Sequence, residues 1–193
     1  MKNDPQNLPD EIYQKVSGNL LLARQRIAAD ENFTRAVVWI SSFSREEGAH
    51  GLVLNKPMGN NLGECSPFFA GTPLAKIPMF NGGPVDSFHI SILACIRNFM
   101  TGGHSIQCGL NEEKVRDYAN NPAVKLFAFA GMAGWAPKQL ESELSAGFWH
   151  ISKVDFNEWE KSAEPDLWNR ILAKSKKLEA KLTLRSPEDL SFN

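Results

Sequence analysis

The chain has 193 residues, 42% of them hydrophobic and 22% charged, with a formal net charge of −1. That length buries a core without disulfide or metal staples, and the composition excludes a disordered chain. A charge so close to neutral excludes a global field that would draw the protein to nucleic acid or to an anionic membrane.

Residues 1–8 read as a loose tail. Pro9 to Val16 is predicted as a short helix, with Ile12, Tyr13 and Val16 on one side and Gly18 ending it. Asn19 to Ala23 (NLLLA) reads as a first strand, and Ala36 to Phe43 (AVVWISSF), rich in β-branched residues, as a second. Ser44 to Gly48 has turn chemistry, so Gly51 to Leu54 is expected to return as a third strand in a hairpin with the second. Pro57 is expected to stop that strand, because proline cannot donate to a ladder. Residues 58–77 show only weak helical hints around Leu62 to Phe69, interrupted by glycines and prolines. Pro78 to Phe80 is a brief extended piece before Asn81-Gly82-Gly83-Pro84, a tight-turn signal. Phe88 to Ile96 alternates apolar and polar residues as a strand does, with His104 to Cys108 as its partner. Asn111 suits the N-cap of a helix over Glu112 to Ala119, whose acidic first turn complements the helix dipole.

Val124 to Ala130 is a nearly unbroken apolar run that predicts a strand buried on both faces. Gly131 and Gly134 are expected to break it, and Pro137 to open a helix that reaches Ala146. Phe148 to Val154 reads as the last strand and Pro165 to Leu182 as a long helix, with residues 183–193 as a second tail. Strands clustered as hairpins with helices between them predict one α+β domain over 1–193, with a mixed, largely antiparallel sheet.

Cys65, Cys95 and Cys108 are odd in number and lack CxxC spacing, which suits reduced, mostly buried thiols in a cytoplasm. The polar, proline-bearing start is no secretory signal, and no apolar run approaches a membrane span. No His, Cys or acidic grouping has metal-site spacing, and no nucleotide fingerprint occurs, so no metal or cofactor is expected.

Glu141 and Glu143 are two residues apart on a helix and point to different sides, so they cannot flank one bond as an acid/base pair. Glu143 shares a flank with Gln139, and a half-buried carboxylate there needs a partner. Arg35 is the expected one, either with Glu143 or with Glu47. Gly82-Gly83 and Gly131 to Gly134 are candidate anion nests, although glycines in turns more often serve backbone conformation. Trp135 reads as a lid on the core or a stacking surface. Lysines 174, 176, 177 and 181 with Arg185 read as a solvated helix face without a DNA-binding signature.

Five segments, in order, carry a family resemblance: Gly18-Asn19-Leu20-Leu21-Leu22-Ala23; Phe33-Thr34-Arg35-Ala36-Val37-Val38; Glu47 to Pro57 (EGAHGLVLNKP); Gly82-Gly83-Pro84-Val85; and Ala133-Gly134-Trp135 followed by Gln139-Leu140-Glu141-Ser142-Glu143. Together they resemble the AlgH/YqgE family of bacterial proteins. The resemblance implies a branched, partly barrel-like sheet surrounded by helices, no settled activity, and a family name that suggests transcriptional regulation.

The resulting expectation is a non-enzymatic regulatory or binding protein with an unknown protein or small-molecule partner. Its patch gathers strand ends and turns at Arg35, Glu47, Asn55, Gly82, Gly83, Pro84, Trp135 and Gln139. The rival is an enzyme on a small anionic substrate, with Arg35 or Lys56 as the positive group and Glu143 as base. A direct DNA-binding regulator is a third, weaker reading.

Overall fold

A computed structural model describes residues 9–24, 31–154, 156–161 and 166–183. The tail expected at 1–8 lies outside the described residues, as does the tail expected at 183–193 apart from Thr183, which is the last residue of α6 rather than the first of a tail. In chain order the elements are α1 (Asp10–Val16), β1 (Leu20–Ala23), β2 (Val37–Ser44), β3 (Gly48–Val53), β4 (Pro57–Asn61) and α2 (Leu62–Cys65). After two short 3-10 turns come β5 (Pro78–Asn81), β6 (Val85–Arg97), β7 (His104–Gln107), α3 (Glu112–Ala119) and β8 (Val124–Trp135). The chain ends in α4 (Gln139–Ser145), β9 (Trp149–Ser152), α5 (Phe156–Lys161) and α6 (Leu167–Thr183).

One sheet carries the order β4-β5-β8-β3-β2-β1-β9, and it branches where β6 also pairs with β8 and β7 with β6. Among the described residues only β5 and β8 run parallel; every other pair is antiparallel. The α+β class and the mixed, curled, branched sheet are as expected.

Alternation along the strands fills both faces of the sheet. Leu21 and Ala23 of β1 join Val38 and Ile40 of β2 under α1 and α4, while Leu20 and Leu22 join Val37 and Trp39 under α5 and α6. A strand buried on both sides has no polar face, which is why β1 reads LLLA.

The structure corrects several boundaries. The glycines do not end β8, which continues through Gly131 and Gly134 to Trp135. Gly131 has φ 71°, and a side chain there would meet the backbone of Gly83, Val85 and Ser87. The glycine therefore bends the strand and admits a crossing backbone. Opposite it, the register jumps from Val85↔Met132 to Ile90↔Ala130, so residues 86–89 bulge outward. Phe88 in that bulge is 98% exposed. Pro57 begins β4 rather than only ending β3; β4 pairs with β5 alone, and an edge strand tolerates a residue without an N–H. The helix expected from Pro137 starts at Gln139, because Lys138 takes a left-handed φ of 69°. Two of the three thiols, Cys65 and Cys108, are exposed and only Cys95 is buried.

Candidate functional site

The end of β8 meets the start of α4 at a corner. Ala49 of β3 pairs with Trp135, and Gly48 beside it leaves room for the Trp135 carbonyl, which a side chain would strike. Gln139 Oε1 accepts the Ala136 N–H at 3.1 Å and closes the turn. One helical turn later, Glu143 Oε2 accepts the indole N–H of Trp135 at 2.9 Å and that of Trp149 at 2.7 Å. Gln139 Nε2 donates to its other oxygen at 3.1 Å. Phe33 packs against both indoles, with ring centroids 5.9 Å and 5.7 Å away. The carboxylate thus has partners, and they are two indoles and Gln139 rather than an arginine.

Neither Arg35–Glu143 nor Arg35–Glu47 forms as an ion pair. Arg35 is exposed and holds its guanidinium 5.7 Å from the centre of the Trp168 ring on α6. Glu143 lies across the sheet, bonded to Trp149 in the cluster under α1 and α4. Exposed Glu47 sits in the β2–β3 turn, its N–H donated to Ser44 Oγ.

A second group gathers at the sheet branch. Asn55, 3% exposed, accepts the Val37 N–H and donates to the Arg35 carbonyl, both at 2.8 Å. The Lys56 carbonyl accepts from Asn81, and the Gly82 carbonyl from Val53. Gly82 donates its N–H to Ala130 and Gly83 to the Asn81 side chain, so both donors are engaged within the chain. Pro84 is exposed beside them. The structure therefore gathers Trp135, Gln139 and Glu143 at the corner and Asn55, Lys56, Gly82, Gly83 and Pro84 at the branch. The Arg35 backbone joins the branch while its side chain faces α6, and Glu47 stays at the turn.

Two features were not legible in the sequence. Glu141 is 0% exposed; Tyr13 Oη of α1 donates to its Oε1 at 2.8 Å, and its Oε2 has no partner among the described residues. Burial, and then the hydrogen bond to Glu141, raise the Tyr13 phenol above its ordinary pKa. Arg45 lies 5.2 Å from the Tyr13 ring centre and pairs with Asp10 at 2.7 Å, fastening α1 from outside. The second feature is a cleft of about 350 Å³. It is lined by Ile12 and Lys15 of α1, Arg24 after β1, Leu144 and Ser145 at the end of α4, and β9 from Trp149 to Ile151. Trp149 links the two regions, since its indole N–H is the one held by Glu143. The His150 imidazole lies 2.6 Å from Ser175 Oγ and ties β9 to α6.

Among the described residues no three His, Cys, Asp or Glu side chains gather to hold a metal ion, and no helix is long and apolar enough to cross a membrane. On α6, Lys174 lies 3.5 Å from Glu158.

Comparison with known proteins gives a consistent picture. A family model described as AlgH-like matches residues 20–178. A UPF0301 protein of Streptomyces coelicolor is 30% identical over 187 residues, covering 92% of this chain and 95% of its own. A UPF0301 protein of Chlorobium luteolum is 29% identical over 191 residues, covering 93% and 95%. Among solved structures, the solution structure of the AlgH protein from Pseudomonas aeruginosa superposes with a TM-score of 0.62 at 24% identity, covering 93% of this chain and 98% of that one. A crystal structure of a Corynebacterium diphtheriae protein superposes with a TM-score of 0.61 at 20% identity, covering 90% and 94%.

Proposed function

This chain belongs to the AlgH-like family, and from that premise we propose that it is a non-enzymatic binding protein of regulatory type. It acts through a small ligand held in the cleft between α1, α4 and β9. The observation that carries this reading is electrostatic. In a chain of net charge −1, the cleft is lined by Lys15 and Arg24 and, among the described residues, by no acidic side chain. Neither cation has an ion-pair partner among the described residues. A concave site with apolar walls and a few placed polar groups is the usual form of a small-molecule site. In this reading the corner residues Trp135, Gln139 and Glu143 position Trp149 rather than touch the ligand.

The test is a thermal-shift screen of the full chain against nucleotides and anionic metabolites, since a ligand bound only by the folded state raises its melting temperature. The expected result is a set of anionic hits that weaken as salt rises, as exposed charge contacts do. A screen without hits, beside steeply salt-dependent retention on duplex DNA, overturns the reading in favour of a DNA-binding regulator. A hit that the protein consumes overturns it in favour of an enzyme.

A further inference from the structure

We propose that the cleft takes a small organic anion, an apolar or aromatic body carrying one phosphate or carboxylate, and that α1 is a strap which this ligand holds shut. The inference rests on the small-ligand reading above and adds the ligand class and its consequence for the fold. Two chemistries line the cleft. Lys15 and Arg24 supply positive charge, while Ile12, Leu144, Trp149 and Ile151 supply apolar wall. A bare anion meets only the first and a neutral apolar molecule only the second. A molecule carrying both features meets all six residues.

The strap follows from where those residues sit. Ile12 and Lys15 belong to α1, and the facing wall belongs to α4 and β9. A helix of seven residues has little stability of its own, so α1 exists because it docks. Docking buries Tyr13 and Val16 and makes the Tyr13–Glu141 hydrogen bond. It also leaves Glu141, 0% exposed, with an oxygen that none of the described residues satisfies. A buried oxygen without a partner opposes the docked state, because water would solvate it once α1 lifted. The strap is thereby held by apolar burial and loosened by one carboxylate. A ligand that bridges α1 to β9 binds only the docked form and shifts the balance toward it.

The experiment titrates the full chain with phenyl phosphate, phenylacetate, inorganic phosphate and benzyl alcohol. It follows the Trp149 indole N–H by NMR and the α1 amides by hydrogen exchange. Phenyl phosphate and phenylacetate are expected to shift the Trp149 signal and to slow α1 exchange about tenfold at saturation. Inorganic phosphate and benzyl alcohol are expected to bind about tenfold more weakly, each lacking one of the two contacts. Lys15→Ala and Arg24→Ala are each expected to weaken the anions about fivefold, as loss of one near-surface charge contact does. Without ligand, Glu141→Gln, which removes the charge and keeps an acceptor for Tyr13, is expected to slow α1 exchange, and Tyr13→Phe to speed it. Binding at Trp149 with unchanged α1 exchange overturns the strap and leaves the binding reading standing. If no probe binds, the binding reading falls. Unchanged exchange in Glu141→Gln then overturns the strap independently.

Discussion

Two carboxylates on one short helix have opposite fates. Glu143 is satisfied by two indoles that are each 4% exposed. Replacing it with alanine strands both N–H groups, so Glu143→Ala is expected to cost about 2–4 kcal/mol. Glu143→Gln keeps one acceptor oxygen and is expected to cost about 1 kcal/mol. Urea midpoints followed by tryptophan fluorescence distinguish the two. Glu141 acts through Tyr13, whose phenol sits above its ordinary 10.0 because of burial and then the Glu141 hydrogen bond. The sign follows from linkage. The unfolded chain loses that proton near pH 10.0 and the folded chain only at higher pH. The contribution is therefore whole below pH 10.0 and is lost as pH rises through the folded value. Melting temperature is expected to fall above pH 10.0 more steeply in the native protein than in Tyr13→Phe. That Glu143 needs a partner was legible from its half-buried place beside Leu140 and Leu144, but the partner expected was Arg35, where the structure has two indoles and Gln139. Sequence reading missed the burial of Glu141, whose partner is 128 residues distant.

Element types were legible because periodicity is local, and element ends were not, because distant chain decides them. Gly131 shows the difference. Nothing near it in sequence says that the backbone of Gly83 to Ser87 will cross its Cα, so it reads as a strand terminator and is a bend. Gly131→Ala combines a left-handed φ of 71° with that backbone overlap and is expected to cost at least about 3 kcal/mol. Gly134→Ala is the matched control. A Cβ there would meet only the Val85 Cγ2 at 3.4 Å, so the change is expected to stay within about 1 kcal/mol. Thermal melts of the two variants check the contrast. The short strand at Pro57 and the helix at Phe156 escaped for a related reason. Each owes its form to packing against the finished sheet rather than to a pattern of its own.

At the scale of the molecule, the sheet class was readable from hairpin-clustered strands, and the branch was readable only through the family resemblance. The candidate patch was read as one surface because its members all lie at strand ends. A two-faced sheet separates such ends, placing the exposed Arg35 side chain beside Trp168 of α6 and Glu143 against Trp149 in the cluster on the other face. Periodicity says which residues share a face within a strand, but not which faces of different strands meet. The cleft itself is formed by α1 near one end of the chain and by α4 and β9 near the other, so no window of sequence contains it.

The late position of β8 has a consequence for how the protein is made. Val124 stands at position 124 of 193, yet β8 is the strand to which β3, β5 and β6 all attach. A ribosome delivers those three before it delivers their common neighbour. Their open edges must wait in solution, where unpaired strands invite association with other chains. A nascent chain arrested with β8 still in the exit tunnel is expected to be digested rapidly by added protease. One arrested after β9 has emerged is expected to resist it.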